Sequence, residues 1–412
     1  MAAQNWSRNV DFASHSVVRP TSADEVAEVV TGHPVVGVVG TAHSFNTLAD
    51  TTGVMIATDG LDGVTVLDAT RVRAGGGIRY HVLSDALHRA GLALHNLPSI
   101  PHFSVMGACG TGTHGSGDGN GALHTAIEAI ELVDGRGRAQ RYERGDRDFG
   151  GVVVHLGALG VVTAVELSVE PTYEVAQELY LDLPIPAAIE RLDQIMGRTY
   201  SVSLFTDWQH GTINQVWFKH RLDGGQTPSP VDLDGATAAT VALAPSGEDS
   251  LGRNTAQLLQ PGPWHERLPH IDPSYDLPPA VELQTEYFVP RCHGPDALAA
   301  VAELADLLAP VIRMGEIRTV AADDAWLSPF RQDALAIHFS WRINAVGLDA
   351  THAAIEDALS PFGAVPHWGK LYGMAPSDVS GAYASFGDFA DLAHRLDPDR
   401  RFRNTHLVAL LG

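Results

Sequence analysis

The chain has 412 residues, enough for two or three domains each with a core, and its 45% apolar and 18% charged content describes an ordinary folded protein. Its 49 acidic and 27 basic side chains leave a net charge of −22, a field that repels phosphate backbones and argues against a nucleic-acid partner. Two cysteines, Cys109 and Cys292, are too few for a disulfide framework, and no apolar run approaches the roughly 20 residues of a membrane helix. The N-terminus lacks a basic start followed by an apolar stretch, so no secretory signal and a cytoplasmic protein without a membrane partner are expected; a monomer and no metal are expected besides.

In chain order, Ser22-Ala23-Asp24-Glu25 is a capping box that opens a helix through Val30. Residues 35–39 read as a short buried strand, and 72–74 as another that ends at Gly75-Gly76-Gly77. Residues 80–90 carry apolar side chains at helical spacing and stop at Gly91. A strand and turn follow at 126–135, and Gly157 to Leu167 leads into a further strand. This is an α+β pattern, not a strict βαβ array.

From about Pro171 to Pro366 apolar and polar residues alternate with period two, at 201–208, 214–220, 281–289, 315–321 and 335–341, which predicts antiparallel strands with two different faces. Residues 296–308 and 351–359 read as helices covering one face, and 223–252, rich in Gly, Pro, Ser and Asp, as a long surface excursion. Phe402-Arg403-Asn404 suggests a final return to the first domain.

Two loops carry the chemistry. Residues 37–46, within Val35-Val36-Gly37-Val38-Val39-Gly40-Thr41-Ala42-His43-Ser44-Phe45-Asn46, offer glycine-lined backbone N–H groups and three polar side chains to an anion. The glycine spacing is wrong for a GxGxxG dinucleotide motif, and no helix signature follows. Residues 104–117 bring five more glycines and further hydroxyls, with a third loop at 157–163. One such loop alone is most often a turn; together they suit a ligand with a pyrophosphate and a large flat ring. His43, at the apex of the first loop, would present a ring nitrogen able to attack the 8-methyl carbon of a flavin ring.

The chain resembles the alditol oxidases, within the FAD flavoprotein superfamily of vanillyl-alcohol oxidase and the sugar-lactone oxidases. The resemblance runs essentially end to end, through Gly40-Thr41-Ala42-His43-Ser44-Phe45-Asn46, Pro98-Ser99-Ile100-Pro101-His102 and Gly110-Thr111-Gly112-Thr113-His114-Gly115-Ser116-Gly117. It continues in Pro261-Gly262-Pro263-Trp264-His265-Glu266-Arg267-Leu268-Pro269-His270, Glu316-Ile317-Arg318-Thr319-Val320-Ala321-Ala322-Asp323 and Pro366-His367-Trp368-Gly369-Lys370. It implies a two-domain α+β fold of the vanillyl-alcohol oxidase type. The FAD-binding domain would span 1–170 with a C-terminal return at 371–412, and an antiparallel-sheet substrate domain covered by helices would span 171–370. It also implies FAD attached covalently through His43. The other expected cofactor contacts are Val39, Gly40, Thr41, Ala42, Ser44, Phe45, Ser99, Ser104, Gly107, Ala108, Cys109, Gly110, Thr111, Gly112, His114, Val162 and His367.

Period two puts Glu316 and Arg318 on one strand face, His338 and Ser340 on another, and Glu282, Gln284 and Glu286 in a third polar row. Such rows are usually the solvated side of an amphipathic sheet, but paired Glu and Arg with His and Gln is an unusual choice for that purpose. The resemblance assigns Ser99, Glu316, Arg318, Ser340 and Lys370 to the substrate, with His338 close by. Arg318 and Lys370 are expected to polarise the substrate hydroxyl and support the reduced flavin, with Glu316 orienting Arg318. The proton acceptor is either His338 or an ionised group coupled to Lys370. Ser340 stands where the family pattern has Thr, and Pro98 lies where superfamily members control oxygen access. Cys109 reads as a buried small hydrophobe.

The expected reaction is oxidation of the terminal CH–OH of alditols such as xylitol and sorbitol to aldoses, with O2 reduced to hydrogen peroxide. A sugar-lactone oxidase or dehydrogenase is the enzymatic alternative, and a non-catalytic flavin- or carbohydrate-binding protein the alternative of another class. Hydrolysis by Ser99 with His102 is a distant third, because no strand–turn–helix elbow surrounds that serine.

Overall fold

The computed structural model describes residues 4–223, 226–245, 253–279 and 282–412. Its N-terminal part opens with three parallel strands, Ser16–Val18, Val54–Ala57 and Val36–Val39, in that order across the sheet. Half of the capping box is present: Ser22 Oγ accepts from Glu25 N–H at the start of the Ala23–Gly32 helix, while Glu25 Oε2 accepts from Thr21 N–H and Oγ1, one residue before the N-cap. An antiparallel five-stranded sheet follows, ordered Val64–Val66, Arg71–Gly75, Val161–Ser168, Ile127–Val133 and Ala139–Glu143. Gly76 and Gly77 lie where a side chain would collide with the carbonyls of Val162 and Thr58, so this crowded crossing requires glycine.

The second sheet contains nine strands among the described residues, all antiparallel. Its centre runs Glu174–Pro184, Thr212–Leu222, Ser201–Thr206, Ile312–Val320, Ala334–Arg342 and Glu282–Pro290. The expected alternation is there. Ile317, Ile337, Phe339 and Trp341 face a core shared with the Gly294–Ala302 and Leu348–Leu359 helices, through Leu298, Val301, Ile355 and Leu359. The opposite face carries the ionisable row described below.

The structure adds one strand to these expectations and corrects another reading. Glu174–Pro184 forms an interior strand that alternation does not mark, because most of its side chains are buried whichever face they point to. The stretch 223–252 is not simply a surface excursion. Residues 224, 225 and 246–252 lie outside the described residues, but Val231, Leu233 and Ala244 are buried and Thr237–Ala238 pairs with Glu174–Pro184.

Candidate active site

Strand register brings the polar rows together. Glu286, His338 and Glu316 are direct cross-strand partners on three adjacent strands, and Gln284, Ser340 and Met314 form the next row. These side chains wall one end of a cavity of about 550 Å³ whose other wall is the 38–45 and 103–113 loops with His155, Leu156, Gly157 and Val162. A volume of this order is typical of a cofactor or small-molecule pocket.

Glu286 is the hub of the row. It is 1% exposed. Arg318 Nη2 donates to its Oε1 at 2.8 Å and Lys370 Nζ to its Oε2 at 2.7 Å. Burial alone would raise the Glu286 carboxyl, but Lys370, His114 and Arg318 hold it well below the usual carboxylate range. Arg318 Nη1 also donates to Ser99 Oγ at 3.0 Å. The expectation that Glu316 orients Arg318 therefore needs correction: Glu316 Oε1 is 3.5 Å from Arg318 Nε, which makes no aligned hydrogen bond, and it is Glu286 that fixes the guanidinium. Glu316 is instead held by His270, whose Nε2 donates to Oε1 at 2.7 Å. Burial would raise the Glu316 carboxyl too, yet Arg318 and His270 keep it ionised.

Lys370 Nζ also donates to His338 Nδ1 at 2.8 Å, so the neutral ring carries its proton on Nε2. Burial, reinforced by Lys370, brings His338 down to about 3. Lys370 is placed from two sides. Asn46 Nδ2 of the first loop donates to the carbonyls of Trp368 and Lys370, while His367 and Leu371 N–H donate to Glu286 and Gln284 carbonyls on the sheet. Ser340 Oγ donates to Glu282 Oε2 at 2.6 Å.

At the loop end the N-terminal segment fastens the first loop: Trp6 N–H donates to the Ala42 carbonyl, and Asn5 and Asn9 side chains donate to the Ser44 and Phe45 carbonyls. Ala42 takes a left-handed conformation (φ 57°), which turns the chain and projects His43. The His43 ring lies between Trp6 and Phe103, with centroids 4.8 and 4.7 Å away. Neither of its nitrogens has a hydrogen-bond partner. Burial lowers its pKa to about 3, and the nearby Thr41 backbone opposes this without an aligned hydrogen bond, so the imidazole is neutral.

Of the expected cofactor contacts, Val39, Gly40, Thr41, Ala42, His43, Ser44, Phe45, Ser99, Ser104, Gly107, Ala108, Gly110, Thr111, His114, Val162 and His367 line the cavity. Cys109 and Gly112 do not: the Cys109 thiol is in the core, 3.3 Å from Tyr80 Oη, and Gly112 abuts Pro329. The short Val105–Cys109 helix turns that residue inward, which the glycine pattern concealed. Glu286 and His270 are the functional side chains that motif reading missed; Glu286 stood in a recognised polar row, but only register identifies it as the shared counter-ion.

The site fits a flavin dinucleotide. Ser104 Oγ and both His43 nitrogens are buried polar atoms without partners on the cavity wall. A side chain at Gly40 would collide with Ser104 Oγ, which leaves bare backbone where a pyrophosphate needs close approach.

Comparison with known proteins agrees. The FAD binding domain family matches residues 14–143, and the D-arabinono-1,4-lactone oxidase family matches residues 281–410. An alditol oxidase of Streptomyces sp. is 42% identical over 416 residues, which cover 100% of this chain and 99% of that protein. An L-gulono-1,4-lactone dehydrogenase of Mycobacterium tuberculosis is 27% identical, covering 99% of this chain and 98% of its own. In three dimensions the chain is similar to cholesterol oxidase from B. sterolicum, with TM-score 0.79 and 13% identity over 99% of this chain and 96% of the other, a likeness of fold alone.

Proposed function

The chain belongs to the FAD-dependent alditol oxidase family, and from that premise we propose that it oxidises the terminal CH–OH of polyols such as xylitol and sorbitol to aldoses, with O2 reduced to hydrogen peroxide. Residues 1–170 and 371–412 hold FAD, and 171–370 hold the substrate. The observation that carries the reading is the pair of cations, Arg318 and Lys370, both bonded to buried Glu286 on the wall that faces the glycine loops.

When bound, FAD would supply the hydride acceptor and the two-electron route to O2. The chain does the rest. Lys370 and Arg318 polarise the reacting hydroxyl and lie ready for negative charge on the reduced cofactor. Glu316 Oε2, Ser99 Oγ and Ser340 Oγ bind further hydroxyls, which gives selectivity for polyols because an analogue without those hydroxyls leaves buried polar groups unpaired. The hydroxyl proton passes to His338 Nδ1, freed when Lys370 turns one N–H to the substrate oxygen. Burial and Lys370 lower its pKa to about 3, so that nitrogen is unprotonated and available in the neutral range but is a weak base, which takes the proton only in concert with hydride loss.

His43 is the tether. Its unpartnered, neutral nitrogens support this, since a nucleophile must be unprotonated and unobstructed. Acid-denatured protein run on a gel should give a fluorescent flavin band that H43A lacks; a band unchanged in H43A overturns the tether.

The match of 281–410 to a lactone oxidase family favours a sugar lactone as the second reading. Peroxide release measured across xylitol, sorbitol and L-gulono-1,4-lactone tests both. Faster turnover of the polyols supports the alditol reading, and turnover of the lactone alone replaces it.

A further inference from the structure

Behind Glu316 lies a cation that takes no part in the chemistry described above. Lys219, on the Thr212–Leu222 strand, is 1% exposed. Its ammonium donates to three consecutive carbonyls, Arg267 at 2.8 Å, Leu268 at 2.6 Å and Pro269 at 3.0 Å. An ammonium has three protons and no acceptor, and a buried one is tolerated only when each proton is taken. The three carbonyls meet that demand and fix the turn that contains them. Thr255 secures the same turn through Oγ1 to the Pro269 carbonyl and N–H to the His270 carbonyl.

The next residue along the turn is His270. Its ring stands edge-on to Trp217 and Phe205, with centroids 5.2 and 5.5 Å away. Nε2 carries the proton given to Glu316 Oε1 at 2.7 Å, which leaves Nδ1 unprotonated, 3.4 Å from Lys219 Nζ. The backbone of the same segment reaches a second substrate residue: His270 and Ile271 N–H both donate to the Ser99 carbonyl, at 2.9 and 3.1 Å.

We propose that Lys219 and His270 are positioning residues for polyol oxidation, acting through a lysine-clamped turn at 267–271 that sets two substrate contacts at once. Glu316 is set by the His270 ring, and Ser99 by the two backbone N–H groups. Both the His270 and Arg318 contacts fall on Glu316 Oε1, which directs Oε2 towards a substrate hydroxyl. The inference rests on the assignment of Glu316 and Ser99 to substrate made above.

The test is a pair of amide variants assayed on two substrates. In H270Q the side-chain N–H2 can stand where Nε2 stood and still donate to Glu316; in H270N the shorter amide reaches Lys219 but not Glu316. With xylitol, H270N should lose about 10- to 100-fold in kcat/KM, mostly through KM, the size expected for one charge-assisted hydrogen bond, and H270Q should recover most of it. With 1-pentanol, which keeps a terminal CH–OH and lacks the inner hydroxyls, the two variants and wild type should agree within about threefold, since the lost contact has no counterpart there. K219M should reproduce the H270N pattern across the two substrates.

A uniform loss on both substrates, an H270Q no better than H270N, full activity in H270N, or loss of flavin from both variants would each overturn the proposal. The wild-type control separates the two layers. If xylitol does not reduce wild-type flavin, the functional reading falls; if it does and the variants match one another, only this inference falls.

Discussion

Replacing Glu286 with Gln keeps the shape of the side chain and removes the charge that two buried cations share. Arg318 and Lys370 reach that carboxylate at 2.8 and 2.7 Å, with Glu286 and Arg318 buried and the Lys370 side chain 13% exposed. Removing one partner of a buried ion pair costs about 3–5 kcal/mol, because the remaining charge stays desolvated. Gln also turns an N–H2 towards one of the two donors. A loss near 3 kcal/mol would lower a urea midpoint by about 1 M, for a dependence of about 3 kcal/mol per molar. The pH dependence has a definite sign. Glu286 titrates well below the roughly 4.3 of a free carboxyl, so its contribution is present above that value and disappears as pH falls through the lower folded value. The difference between wild type and E286Q should therefore be constant from about pH 6 to 8 and shrink below about pH 4. Urea unfolding followed by flavin fluorescence and circular dichroism at several pH values measures it. A difference under about 1 kcal/mol at pH 7, or one that grows in acid, would refute the account of Glu286 as the shared counter-ion.

R318K should lower kcat/KM for xylitol by about 100-fold, because one ammonium cannot span the Ser99 and Glu286 contacts that the guanidinium fork makes together; steady-state kinetics decide it. Burial draws the Lys370 ammonium below the ordinary lysine value of about 10.4 against the pull of Glu286, so activity that needs the charged form should fall on an alkaline limb centred below that value. A pH profile of kcat/KM with its limb at or above the ordinary value contradicts the burial of Lys370. G76A should cost about 1–3 kcal/mol and reduce flavin content, since the added methyl meets the Val162 carbonyl at the cavity wall; absorbance ratios and thermal unfolding check both.

Particular residues show what the sequence could carry. The strands around Glu316, Arg318, His338 and Ser340 were legible because one face is packed under helices and the other is polar, and that asymmetry writes period two into the chain. The N-cap at Ser22 was legible because its hydroxyl serves a backbone N–H only three residues on. Glu174–Pro184 was not, since a strand buried on both faces loses its alternation. Nor could local pattern show that Glu286, rather than Glu316, is the residue bonded to Arg318. That depends on the register of strands far apart in the chain, and on Asn46 drawing Lys370 to the sheet across 324 residues. Cys109 was rightly read as a buried small hydrophobe but wrongly placed among the cofactor contacts, because the glycines around it conceal a helical turn that points its thiol into the core.

The most direct test is optical. Purified protein mixed with xylitol in the absence of oxygen should lose its yellow flavin absorbance within seconds to minutes and regain it when air is admitted, with peroxide formed in step. A flavin that stays oxidised under excess xylitol and sorbitol, in protein that is folded and fully loaded, would contradict the account.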